Sequence, residues 1–262
     1  EIRDGRVDVE DRSGTVPRHL TAVDVRLRAS ELRLGGDGRV RLDAAVFPGS
    51  VRPDLHLDLS LSRLGEQDGA QTPFTGHLEL TDADLETLAL IVGRPPLWLG
   101  RAARVTVDAT GMLDRFTVAV AARSDGNWRL GPHLPLPPMS MRVDASAEVT
   151  RDTIRLEHAS GVVGPIGWTA SGLATLRPWH VEMAVRGTDP AATLMVAEHP
   201  VSLADLELIL SGDDALRIAP AHVRLDDMHV DGEVRIAGLD PLVVAGHAHA
   251  TGPLGVIDVS VD

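Results

Sequence analysis

Apolar side chains recur at every second position through most of this chain. Leu55, Leu57, Leu59 and Leu61 alternate with His56, Asp58, Ser60 and Ser62. Val23, Val25 and Leu27 alternate with Asp24, Arg26 and Arg28, and Val40 and Leu42 with Arg39, Arg41 and Asp43. A period of two places one class of side chain on each face of an extended strand, so these runs predict strands with one apolar and one charged face. The pattern continues through Leu78 and Leu80, Val105 and Val107, Phe116 to Val120, Met141 to Val149, Val181 to Val185, Leu206 to Leu210, Val230 to Ile236, Val243 to Ala250 and Val256 to Val261. Turn signals fall between the runs, with Gly35-Gly36-Asp37-Gly38 the strongest hairpin candidate. Gly161, Gly164, Gly167 and Gly172 predict bulged or closely packed strands, and four prolines within Gly131–Pro138 predict a stiff connector. A dozen or more strands at a spacing of about 8–12 residues predict an all-β fold.

The period breaks at two places. After Leu80, Asp82, Asp84 and Glu86 offer a cap and negative charge at a helix start, Leu85, Leu88, Ala89 and Val92 recur at helical spacing, and Gly93 with Pro95-Pro96 ends the run. The spacing predicts a helix over about 82–92. Asp189 as cap and Pro190 at the first turn predict a second short helix over about 189–197. Thr75–Leu80 resembles Ser171–Leu176, each ahead of an Asp-initiated break, and Gly232–Ile236 reads as a third, degraded copy. The expected organisation is therefore a first β-repeat unit over 1–100, a second over 101–200 and an incomplete third over 201–262.

Composition narrows the functional classes. The chain of 262 residues carries a net charge of −13, so it lacks the basic excess that neutralises nucleic-acid phosphates. Aromatic residues make up 3%, too few for base-stacking platforms, so no nucleic-acid partner is expected. The absence of Cys removes disulfides, thiolate nucleophiles and zinc-thiolate sites. No run of 18 apolar residues occurs. The chain opens without Met and closes on a strand-like run, which suggests a piece of a longer protein whose signal or anchor lies elsewhere.

The Asp4–Arg12 opening with Leu20-Thr21-Ala22-Val23-Asp24-Val25 after it resembles the start of repeat units in AsmA-like proteins. Asp82-Ala83-Asp84-Leu85-Glu86-Thr87-Leu88 with Gly93 and Pro95-Pro96 is similar to that family's recurrent helix and Pro-rich exit, and the Ser-Gly-x-Ala-x-Leu strand fits it too. The resemblance is to the AsmA-like, TamB-like family of bacterial envelope proteins. It implies a mainly β fold: an elongated, curled antiparallel sheet, or β-groove, of repeated strand units with two short helices. It further implies a periplasmic bridge, anchored to the inner membrane through a segment outside this chain, with membrane at one or both ends of the full-length protein. Its cargo would be phospholipid acyl chains passed between inner and outer membranes, and no catalytic motif is carried over.

The candidate groove lining is Val23, Val25, Leu27, Val40, Leu42, Leu55, Leu57, Leu59, Leu78, Leu80, Val105 and Val107. The same alternation fits a closed sandwich core, so a structural or interaction module, as a β-sandwich or solenoid segment without lipid cargo, remains the alternative. His247-Ala248-His249 places two imidazoles on one strand face, with His222, His229, Asp226, Asp227 and Asp231 near in sequence, yet a polar strand face displays the same residues. Asp82, Asp84 and Glu86 read as capping groups and not as an acid–base pair. Trp98, Trp128, Trp168 and Trp179 read as covers of local core edges. No catalytic residue, metal site or cofactor is expected, and the chain is not expected to be an enzyme.

Overall fold

The computed structural model describes residues 1–11, 18–31, 33, 35–47, 50, 52–63, 69–84, 98–99, 101–126, 129–130, 134–135, 139–189, 192–196, 199–212, 215–239, 242–253 and 255–261. Two compact units divide the chain, Glu1–Pro138 and Met139–Asp262. Each is built of antiparallel strands, as the period of two predicts.

In the first unit, β1 (Ile2–Asp11), β2 (Arg18–Ser30), β3 (Gly38–Ala45), β4 (Leu55–Leu61) and β5 (Pro73–Asp84) pair in succession. A two-residue strand, β6 (Trp98–Leu99), precedes β7 (Arg101–Met112), which pairs with β5, and β8 (Arg115–Gly126) pairs with β7. Strands β6, β9 (Arg129–Leu130) and β10 (Leu134–Pro135) form a small separate sheet. One 3-10 turn, Gly69–Gln71, lies between β4 and β5. Gly35 turns the β2–β3 hairpin at a φ of 77°, as its sequence predicts.

The second unit continues the design. It runs through β11 (Met139–Thr150), β12 (Thr153–Val163), β13 (Ile166–Leu176) and β14 (Trp179–Gly187). Next come β15 (Ala192–Val196) and β16 (His199–Gly212), and β16 pairs with both β14 and β15. Strands β17 (Leu216–Leu225), β18 (Met228–Leu239), β19 (Leu242–Gly252) and β20 (Gly255–Val261) follow in order. Gly161 lies opposite Trp168, and a Cβ there would stand 2.6 Å from the indole, so the strands approach as closely as the glycine run suggests.

The helix expected over 82–92 is corrected at its start. Asp82 and Asp84 lie in β5, where Thr81, Ala83 and Asp84 pair with Arg104, Ala102 and Arg101; residues 85–97 lie outside the described residues. Asp82 takes a φ of 53°, a left-handed conformation that Asp tolerates better than most residues. The second expected helix is overturned. Ala192–Val196 is extended and paired with His199–Leu203, while Asp189 caps a strand: its carboxylate accepts the Gly167 N–H at 2.8 Å. An acidic residue ahead of an apolar run serves a distant backbone N–H as readily as a helix end.

Asp4, Asp24 and Asp205 also have φ near +53° within strands, and each sits at a register shift. These are bulges in which one extra residue bends the strand and increases its twist. In the first unit the buried cluster joins Phe47, Leu80 and Ala83, with Val46, Leu55, Leu78 and Val105 packed against it. Asp54 closes that corner. It is 4% exposed, its carboxylate accepts the N–H groups of Val46 and Phe47 at 2.8 and 3.2 Å, and its own backbone bonds Ala44 and Thr81. Among the described residues no helix is long and apolar enough to cross a membrane.

Candidate functional site

Directly opposite residues of an antiparallel pair project from the same face, so the registers assemble the apolar positions into files that run across the strands. In the first unit one file is Leu27, Leu42, Leu57, Leu78, Val107 and Val120. The next is Ala29, Val40, Leu59, Gly76, Ala109 and Val118, and another is Ala44, Leu55, Leu80, Val105 and Ala122. Near the far end of the strands, Phe74 and Phe116 meet edge to face with centroids 5.4 Å apart.

Eleven of the twelve expected lining residues fall on this face. Val25 and Leu80 are buried, at 6% and 5% exposed, while Leu27, Val40, Leu42, Leu55, Leu57, Leu59, Leu78, Val105 and Val107 are half-buried. Val23 stands apart. The bulge at Asp24 shifts the phase, so Val23 lies opposite Ala45, the residue that alternates with Ala44, and is 40% exposed. Among the described residues, no large side chain is fully buried. The files therefore form a surface of partly covered Leu and Val side chains around a small buried corner.

The second unit carries files that sequence reasoning did not nominate. Leu156, Gly172, Met183, Leu210, Ile218, Val234, Gly246 and Val261 follow one another by register, as do Ala145, Ala159, Ala170, Val185, Leu208, Ala221, Gly232, Ala248 and Val259. The alternation in these strands was the available signal.

The opposite face is a lattice of ion pairs. Asp58 accepts hydrogen bonds from Arg39 and Arg41, and the Arg39 hydrogen bond is the first cause of its carboxyl lying below the ordinary range. Arg104 bonds Glu79 at 2.9 Å. Nδ1 of His77 is 2.6 Å from Asp108, and His56 pairs with Asp43 in the same cross-strand manner. In the second unit Nδ1 of His249 is 2.6 Å from Asp258, His222 pairs with Asp231, and Arg217 makes two 2.9 Å bonds to Glu233. That bond is the first cause of the Glu233 carboxyl falling below its ordinary value. His247 and His249 do share a face, but His222 and His249 are each engaged by a carboxylate on a neighbouring strand. Among the described residues no three His, Asp or Glu side chains are grouped to hold a metal. Asp82, Asp84 and Asp189 lie in or beside strands, and Glu86 lies outside the described residues.

Sorting by face is what each unit does: files of apolar side chains on one side, and on the other charges many of which pair across neighbouring strands. Comparison of the chain with protein-family models, with the curated proteins and with solved structures finds no match.

Proposed function

We propose that this chain is a non-enzymatic, lipid-handling part of a bacterial envelope protein of the AsmA-like, TamB-like kind, and that phospholipid acyl chains lie along its apolar sheet face. The observation that carries this reading is the run of cross-strand Leu and Val files whose members stay half-buried. A closed sandwich would cover Leu42, Leu57 and Leu78 with a second layer, whereas these side chains keep part of their surface free.

Transfer of an acyl chain to such a face is favourable by about 0.8 kcal/mol per buried methylene. A file of several side chains thus offsets the cost of withdrawing a chain from a bilayer, while the head group stays in water. Nothing in this mechanism needs a covalent step, a metal or a cofactor. The reading places the chain in the periplasm, with an inner-membrane anchor and membrane contact supplied by other segments of the full-length protein.

The test is native mass spectrometry of the purified chain followed by lipid extraction. Phospholipid is expected to co-purify with the wild type, and Leu42→Asp and Leu57→Asp are expected to lose it while retaining the β circular-dichroism spectrum. Unfolding of both variants, or a wild type free of lipid, would place these residues in a closed core.

A further inference from the structure

On the polar face of the second unit, His180, Ser211, Gly212, Ala215, Arg217, Glu233 and Arg235 line a trough of about 620 Å³. The registers explain how it forms. Ser211 lies opposite Arg217, and Arg217 opposite Arg235, so two guanidiniums face the trough from neighbouring strands with a hydroxyl beside them. Like charges directly opposite one another destabilise a strand pair unless something neutralises them. Glu233 does so for Arg217, through two parallel bonds. Arg235 has no carboxylate partner among the described residues. Glu182, opposite Ser211, is outside the lining.

We propose that this trough is a binding site for a phosphate-class oxyanion, held between Arg235 and Arg217 with Ser211 donating its hydroxyl. The planar fork of a guanidinium matches two oxygens of a tetrahedral anion, and the bonds are charge-assisted on both sides. Glu233 limits the affinity, because it occupies the Arg217 fork. The trough's position admits two sources of the phosphate group. Gly212 lines it, and by register Gly212 also belongs to the apolar file of Val181, Leu216 and Ile236. The site therefore reaches the rim where the two faces meet, and the group can arrive free or on a lipid. The oxyanion chemistry goes beyond the acyl-chain reading and does not depend on it.

The experiment is a phosphorus NMR titration at near-physiological ionic strength, with inorganic phosphate in one arm and a short-chain phosphatidic acid in the other. Saturable binding of at least one probe is expected. Arg235→Gln should weaken it about tenfold, the loss of one charge-assisted bond. Glu233→Gln should tighten it by freeing the Arg217 fork, a gain that misfolding does not mimic. Arg123→Gln, which removes an arginine lying opposite Arg104 in the first unit, should leave it unchanged. Equal loss in Arg235→Gln and Arg123→Gln, or no saturable binding of either probe, overturns the proposal. Leu216→Ser removes apolar surface without adding charge beside Arg217 and separates the sources: it should weaken phosphatidic acid alone if the group arrives on a lipid, and neither probe if it arrives free. Phosphate binding that persists in Leu57→Asp protein stripped of lipid leaves the site standing without the groove.

Discussion

Asp82 shows how much a single residue hides from a linear reading. In the sequence it sits where a helix cap belongs, and in the fold it takes a φ of 53° within β5. Asp82→Gly is expected to leave stability nearly unchanged, and Asp82→Val to cost about 1–2 kcal/mol, because a β-branched side chain clashes in the left-handed region; urea denaturation of the two variants measures the difference. The bulges did leave a trace. In Ala22-Val23-Asp24-Val25 and Leu203-Ala204-Asp205-Leu206 two apolar residues stand side by side before the Asp, the mark of one residue too many for strict alternation. Asp54 left none, since a buried carboxylate holding two backbone N–H groups looks like any polar residue before a strand. Asp54→Ala should destabilise by about 1–3 kcal/mol through the donors it abandons. Asp58 supplies a pH signature. Its folded-state pKa is depressed below the unfolded 3.8, so its contribution is present above about pH 4 and is lost as pH falls through the folded value. Arg39→Gln with Arg41→Gln should therefore reduce the stability lost between pH 7 and pH 3; equal losses in variant and wild type would remove Asp58 from the acid response.

Strands were readable one by one because a period of two needs nothing beyond four to eight residues. Their partners were not, since register depends on bulges and on which turn closes each hairpin. The expected helix start at Asp82 and the expected helix over 189–197 gave way for one reason: a strand with neighbours to pair with outweighs a local capping signal. Ala192–Val196 is the clear case, with β16 available on one side and the Asp189 carboxylate committed to Gly167. Amide exchange should find slowed protons within β15. Element by element, burial also separates two kinds of apolar residue that look identical in sequence. Phe47→Ala, at the buried corner, should cost about 3–5 kcal/mol, whereas Leu57→Ala on the half-buried file should cost well under that. Thermal denaturation followed by circular dichroism orders the pair, and an equal loss would mean that the file is as enclosed as the corner.

Over the whole chain, the charge of −13 is carried by a sequence without Lys, and strand-face arginines are spent largely on neighbouring carboxylates. Association with anionic vesicles should accordingly strengthen as salt rises from 10 to 150 mM, roughly the range over which the screening length falls from about 30 to 8 Å, while zwitterionic vesicles show no such trend. Vesicle flotation reads this directly. The files of the first unit have a further consequence. Leu27, Leu42, Leu57, Leu78, Val107 and Val120 present much the same branched hydrocarbon at each strand, about 4.8 Å from the last. On the proposed acyl-chain reading, a hydrocarbon tail lying along such a wall would have no one berth deeper than the others, and a shift by one strand would exchange each contact for its near equal. Grip and friction would then be uncoupled: a tail could be held against water and still slide.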